Sequence, residues 1–163
     1  MNQVQPAAAE VVIAPEAEGD RFAVEAVVAA AFGPGRLAKT AERLREGSQP
    51  VAGVVARHGG RVVGSVRLWP IAVGGTPAAF LGPIAVDAAW RKGGLGARLV
   101  EAACEAAMRL GLPAILLVGD TPYFGRFGFV RAEGVTLPGP VDPRRVLIKV
   151  LSGEPPAGAA RRA

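Results

Sequence analysis

Residues 81–97 read Leu81-Gly82-Pro83-Ile84-Ala85-Val86-Asp87-Ala88-Ala89-Trp90-Arg91-Lys92-Gly93-Gly94-Leu95-Gly96-Ala97. A strand-like run, Leu81 to Asp87, is followed after three residues by two cations and three glycines, and then by a helix. The first N–H groups of a helix have no acceptor inside it and point outward with the positive end of the helix dipole. Glycines keep Cβ atoms clear of incoming oxygens, and Arg91 and Lys92 add charge at the rim. The junction therefore predicts an anion site, with Gly93, Gly94, Leu95, Gly96 and Ala97 presenting backbone. Pro83 has no N–H to give to a ladder, so regular pairing should fail near it. The backbone of Ile84, Ala85 and Val86 is then free for something other than a strand, which fits a long anionic ligand with an amide-bearing arm.

Downstream, Leu95, Leu99, Ala102, Ala103, Ala106 and Leu110 recur at helical spacing, while Arg98, Glu101, Glu105 and Arg109 form a charged stripe. Gly111 can cap the helix and Pro113 forbids its continuation. Ala114 to Val118 is uniformly apolar, as in a strand buried on both faces, so Ala79 to Val118 reads as one βαβ unit with parallel strands. Upstream, Val51 to Arg57 and Arg61 to Val73 flank His58-Gly59-Gly60 as a hairpin, and Ala79 to Val86 follows Gly74-Gly75 as a third antiparallel strand. Val11 to Ala14 predicts a first strand, and Val24, Val27, Val28 and Ala31 a helix after Asp20. Leu37, Ala41 and Leu44 predict a second, shorter helix that stops at Gly47. Thr121 to Phe127 reads as a short helix, Phe129 to Arg131 as a strand and Val146 to Leu151 as the last strand. Residues 1–10 and 152–163 are expected to be flexible tails around one domain, 11–151.

Half of the 163 residues are hydrophobic, enough for one core, and the formal charge of +5 is dispersed rather than clustered. That favours small anionic ligands over nucleic acid, which needs a basic stripe. One Cys and one His exclude a disulfide within the chain and a zinc site of the usual N/S type. The start of the chain lacks a basic and apolar leader, and no run is long enough to span a bilayer, so the expectation is a cytoplasmic protein without a membrane or nucleic-acid partner. A dinucleotide fingerprint fails because Leu99 stands where a third glycine is needed, and a Walker loop lacks its Gly-Lys-Ser/Thr.

Arg91, Gly94 and Gly96 resemble the signature of the GNAT superfamily of acetyl-CoA-dependent N-acyltransferases: Arg or Gln, two residues, Gly, one residue, Gly or Ala. Gly119 to Phe129, which reads Gly-Asp-Thr-Pro-Tyr-Phe-Gly-Arg-Phe-Gly-Phe, resembles the late motif of a bacterial branch of these enzymes. The likeness covers about residues 11–151. It implies an α/β (α+β) fold with a central mixed sheet of six to seven strands, a V-shaped splay between two parallel strands and about four helices. It further implies acetyl-CoA as cosubstrate, a strand that pairs with pantetheine, a helix N-terminus that holds pyrophosphate and transfer to a primary amine on a small molecule or peptide, in a monomer or homodimer. An amine would attack the thioester directly in a ternary complex while an N–H near Ile84 to Val86 steadies the developing oxyanion. Most relatives place a tyrosine, thought to protonate the leaving thiolate, where this chain has Phe124. Tyr123 lies beside it, but neighbours on a helix point about 100° apart, so either Tyr123 serves or the thiolate leaves unaided.

A base is needed too, since an amine of pKa about 10.4 is mostly protonated at pH 7, which costs roughly 4 to 5 kcal/mol. Asp120, at the C-terminal end of a parallel strand, is either that base or a helix cap. Glu25 and Glu42 are further candidates. Cys104 reads as a small core residue, His58 as a turn residue, Trp69 and Trp90 as packing or rim residues, and Asp87 as a cap. An acyl-CoA-binding regulatory module without catalysis is the alternative that Phe124 keeps open.

Overall fold

The computed structural model describes residues 10–163; the expected N-terminal tail, Glu10 apart, lies outside them. The elements in chain order are β1 (Val12–Pro15), α1 (Arg21–Phe32), β2 (Ala52–His58), β3 (Arg61–Val73), β4 (Thr76–Leu81), β5 (Ala85–Val86), α2 (Leu95–Arg109), β6 (Ala114–Val118), α3 (Thr121–Phe124), β7 (Val130–Arg131), β8 (Val135–Thr136), β9 (Val146–Val150) and β10 (Gly158–Arg162). The sheet runs β1-β2-β3-β4-β6-β9-β7, with β5, β8 and β10 joined at its sides. The neighbours from β1 to β4 are antiparallel, β4 and β6 are parallel, and β6 and β9 are antiparallel. This is the α/β mixed sheet that the sequence predicts.

Alternation along the strands builds a core on each side. Ala79, Leu81, Ile115, Leu117 and Leu147 face α2, which contributes Leu95, Leu99, Val100, Ala103, Cys104 and Ala107. Phe80, Leu116 and Ile148 face the other way and pack with Leu44, while Val24 and Val28 of α1 cover Val55, Val62 and Ala85. Helix α2 ends as expected. The Leu112 N–H reaches the Ala107 carbonyl and the Gly111 N–H that of Met108, with Gly111 at φ 72°. Among the described residues, no helix is long and apolar enough to cross a membrane.

Two expectations are corrected. The second helix is replaced by 3-10 turns, Pro34–Ala38 and Thr40–Leu44. Leu37 is exposed and only Leu44 is fully buried, so the segment lacks the apolar stripe that would sustain a regular helix; side chains dock it instead. The Thr40 hydroxyl donates to the Pro140 carbonyl at 2.5 Å and Arg43 donates to that of Pro138 at 2.6 Å. The tail 152–163 is not frayed: β10 pairs Ala160, Arg161 and Arg162 with Val73, Ala72 and Ile71 of β3. Strand β3 outlasts β2, whose pairing stops at Leu68, and an unpaired stretch of strand edge needs a partner. Ala160, 3% exposed, is small enough to close the core there.

Candidate active site

The strand β4–β5 advances four residues from Leu81 to Ala85 while its partner β3 advances three, from Leu68 to Ser65. One residue is thus extra, a bulge at the place where Pro83 cannot donate. It turns Leu81 toward α2 but Ala85 toward α1. The Asp87 N–H bonds the Val63 carbonyl at 2.8 Å, so by alternation the N–H groups of Ile84 and Val86 point away from β3.

They point into a splay. The parallel pairing of β4 with β6 spans only Ala79 with Ile115 and Phe80 with Leu116. Beyond it β6 stays with β9 along its whole length while β5 stays with β3, and the two halves of the sheet part. The groove between them has a volume of about 590 Å³, with Leu81, Pro83 and Ile84 on one wall and Leu117, Gly119 and Tyr123 on the other.

Helix α2 opens close by. Gly94 takes a left-handed conformation, φ 72° and ψ 16°, that admits few other residues, after a 3-10 turn over Ala88–Gly93 that Asp87 caps through the Ala89 N–H. The first helical bond runs from the Arg98 N–H to the Gly94 carbonyl, leaving the N–H groups of Leu95, Gly96 and Ala97 ahead of it without a helical acceptor. Leu95 itself is buried, so only its backbone serves the opening. A Cβ at Gly94 would meet nothing within 4 Å, which leaves room for an anion such as a phosphate. Arg91 and Lys92 stand exposed at the rim, and Arg91 Nε also donates to the Val86 carbonyl at 3.3 Å, tying the rim to β5.

Tyr123 and Phe124 share the far wall and meet edge to face at 4.9 Å. They diverge, as neighbours on a helix must. Phe124 packs over Gly119, where any Cβ would collide with its ring. The Tyr123 hydroxyl reaches to 3.2 Å of where a Gly96 Cβ would stand, so it flanks the path from the helix opening to the bulge. Arg126 lies over the Tyr123 ring, 5.1 Å from its centre. Asp120 precedes α3 without a side-chain capping bond; it lines the groove, exposed, with Arg145 3.3 Å away.

Other candidates separate from the groove. Cys104 is buried in the α2 core, and burial pushes its thiol pKa up against the pull of Lys149. His58 lies tilted against Trp90, ring centres 4.8 Å apart, and Trp69 donates its indole N–H to the Gly82 carbonyl at 2.6 Å. Glu25 pairs with Arg21 on the surface of α1. Glu42 binds Arg45 at 3.0 Å and faces Arg36 at 3.6 Å. Sequence reasoning missed Arg36, Lys39 and Arg45, which line the groove. Their only signal is a segment in which four cations, Arg36, Lys39, Arg43 and Arg45, surround one glutamate, Glu42.

A sheet parted beside an open helix N-terminus defines a protein built to bind an extended anionic ligand between strands. The sequence profile of the acetyltransferase (GNAT) family matches residues 21–129, and the chain belongs to that family. It is 32% identical over 113 residues to the uncharacterized N-acetyltransferase YhbS of Escherichia coli K12, covering 68% of each chain. The crystal structure of E. coli YhbS in complex with CoA superposes with a TM-score of 0.82 at 26% identity, covering 99% of this chain and 94% of that one. A GNAT acetyltransferase of Brucella melitensis in complex with acetyl-CoA has the same fold, with a TM-score of 0.74 at 22% identity over 94% of this chain and 96% of that one.

Proposed function

We propose that this chain transfers an acetyl group from acetyl-CoA to a primary amine by direct attack. The observation that carries this reading is the set of unpaired N–H groups at Leu95, Gly96 and Ala97 and of outward N–H groups at Ile84 and Val86, with the Tyr123 hydroxyl of the groove wall 3.2 Å from where a Gly96 Cβ would stand. It has the order of parts that a diphosphate, an amide-bearing arm and a thioester require, and the similar YhbS protein holds CoA.

Bound acetyl-CoA supplies a thioester whose carbonyl carbon takes the amine and whose sulfur departs. The opening of α2 holds the phosphates, with Arg91 and Lys92 adding charge. The N–H groups of Ile84 and Val86 pair with the arm and polarise the carbonyl as charge builds on its oxygen. Tyr123 offers the chain's one phenolic hydroxyl to the groove for the departing sulfur, since Phe124 offers none. Asp120, exposed beside Arg145, takes the amine's proton through water. The buried Cys104 forms no covalent intermediate.

Thiol release from acetyl-CoA across an amine panel, with intact mass of the acetylated product, tests the assignment. Binding of acetyl-CoA with no transfer to any amine would overturn it in favour of a regulatory binding module.

A further inference from the structure

Behind the groove lies a second cavity, about 360 Å³, between α1, the 3-10 turns and β3, and it shares Arg36, Arg45 and Pro83 with the groove as a common wall. Three sets of hydrogen-bond donors there lack acceptors among the described residues. Ser65 is 1% exposed and its hydroxyl has no partner, although buried polar groups are normally satisfied. Arg36, with a side chain 28% exposed, has Glu42 at 3.6 Å as its nearest acidic partner, beyond hydrogen-bond range. Arg45, 8% exposed, gives Nε and one terminal nitrogen to Glu42, while its other terminal nitrogen faces Gly82, 3.5 Å from where a Cβ would stand. One carboxylate is thus shared by two guanidiniums, and Arg67, also on the cavity wall, is taken up by Glu16 at 2.9 and 3.1 Å. The cavity carries one positive charge in excess at Arg36 and Arg45 and an unused hydroxyl beside them.

We propose that this cavity is the acceptor's specificity pocket and that it selects amines carrying a carboxylate. The proposal rests on the acetyltransferase reading above. The acid group lies against Arg36, the free nitrogen of Arg45 and the Ser65 hydroxyl, and the amine points past Pro83 into the groove. The planar guanidinium fork of Arg36 matches a carboxylate in two parallel bonds. Glu42 holds Arg45 in place at 3.0 Å and faces Arg36 at 3.6 Å, and the positive charge left on the two guanidiniums repels an acceptor that is cationic throughout.

The test compares matched amines: β-alanine with propylamine, 4-aminobutyrate with butylamine, and phosphoethanolamine with ethanolamine. The carboxylate member of the first two pairs is expected to have a kcat/KM at least tenfold higher than its twin without the acid group. Arg36→Met should reduce that ratio about tenfold or more, through KM, and Ser65→Ala about threefold. The rise in Tm with acetyl-CoA checks that each variant is folded and keeps the cosubstrate site. Amines without an acid group used as well as the carboxylates overturn the pocket while leaving the transferase reading intact, as does an unchanged ratio in Arg36→Met that still binds acetyl-CoA. Preference for phosphoethanolamine over both carboxylates overturns the carboxylate assignment. Absence of any acetyl-CoA effect on the wild type is the failure of the underlying reading instead.

Discussion

Replacing Gly96 by glutamate separates ligand binding from folding. Gly96 sits in the first turn of α2 with ordinary helical backbone, and the nearest atom to an added Cβ is the Tyr123 hydroxyl at 3.2 Å. A phenol can retreat by a few tenths of an ångström, so the fold tolerates the change. Two effects favour the variant: leaving glycine for a better helix former is worth up to about 1 kcal/mol, and a carboxylate in the first turn is stabilised by about 0.3 to 1 kcal/mol. The unliganded variant should therefore melt at or slightly above the wild type. Its carboxylate, however, occupies the opening where the phosphates would sit. At about one hundred times its dissociation constant, acetyl-CoA should stabilise the wild type by roughly 2.7 kcal/mol, or about 5 to 10 °C in Tm for a domain of this size. Gly96→Glu should lose that shift, whereas Gly96→Ala, which adds no charge, should keep most of it. Thermal unfolding with and without millimolar acetyl-CoA reads all three. A full shift in Gly96→Glu would remove the helix opening from the binding site.

Tyr123→Phe should lower kcat at neutral pH by about a hundredfold while Phe124→Tyr leaves it near the wild type; a rise in Phe124→Tyr with no loss in Tyr123→Phe would mean that the acid is missing, and rates unchanged in both would reduce Tyr123 to a packing residue. Cys104→Ala should leave turnover within a few-fold, and intact mass after incubation with acetyl-CoA alone should show no acetylated protein. Asp20 accepts from the Ala17 N–H at 2.7 Å and pairs through both oxygens with Arg57, which holds its pKa below the usual carboxylate value and raises that of Arg57. A depressed carboxylate stabilises the fold above its unfolded pKa of about 3.9 and loses that stabilisation as pH falls through the folded value. Asp20→Asn should therefore cost about 1 to 3 kcal/mol at pH 7 and less as the solution is acidified below pH 4. Denaturant titrations at both pH values would show it, and an equal loss at the two would refute the pairing.

The parts legible in the sequence are those fixed by local chemistry. The period of α2, its Gly111 and Pro113 stop, the hairpin glycines and the proline that interrupts β4 all state their conformation within a few residues. What stayed hidden depends on partners far along the chain. Nothing in Gly158 to Arg162 reads as a strand; it becomes one because β3 is longer than β2. The stretch from Leu37 to Leu44 has helical spacing, but only Leu44 finds a core, and the loop around Pro138 to Pro140 holds the rest. Likewise, Arg36, Arg45 and Ser65 are separated by up to 29 positions in the chain, and only the sheet and the turns above it gather them around one cavity.

The bulge between Leu81 and Ala85 also sets a rule of parity for this segment. Before it, odd-numbered residues such as Ala79 and Leu81 face α2; after it, odd-numbered Ala85 faces α1. Removing one residue between 82 and 84 would match three steps to the three of β3, so Ala85 would still meet Ser65 and face α1, but the bulge would be gone and the strand would run on as a regular ladder. Removing two would leave two steps against three, send Ala85 to the α2 side and turn the backbone groups of Ile84 and Val86 toward β3. The outward edge therefore depends on the parity of the count, and loss of the one extra residue should be better tolerated than loss of two.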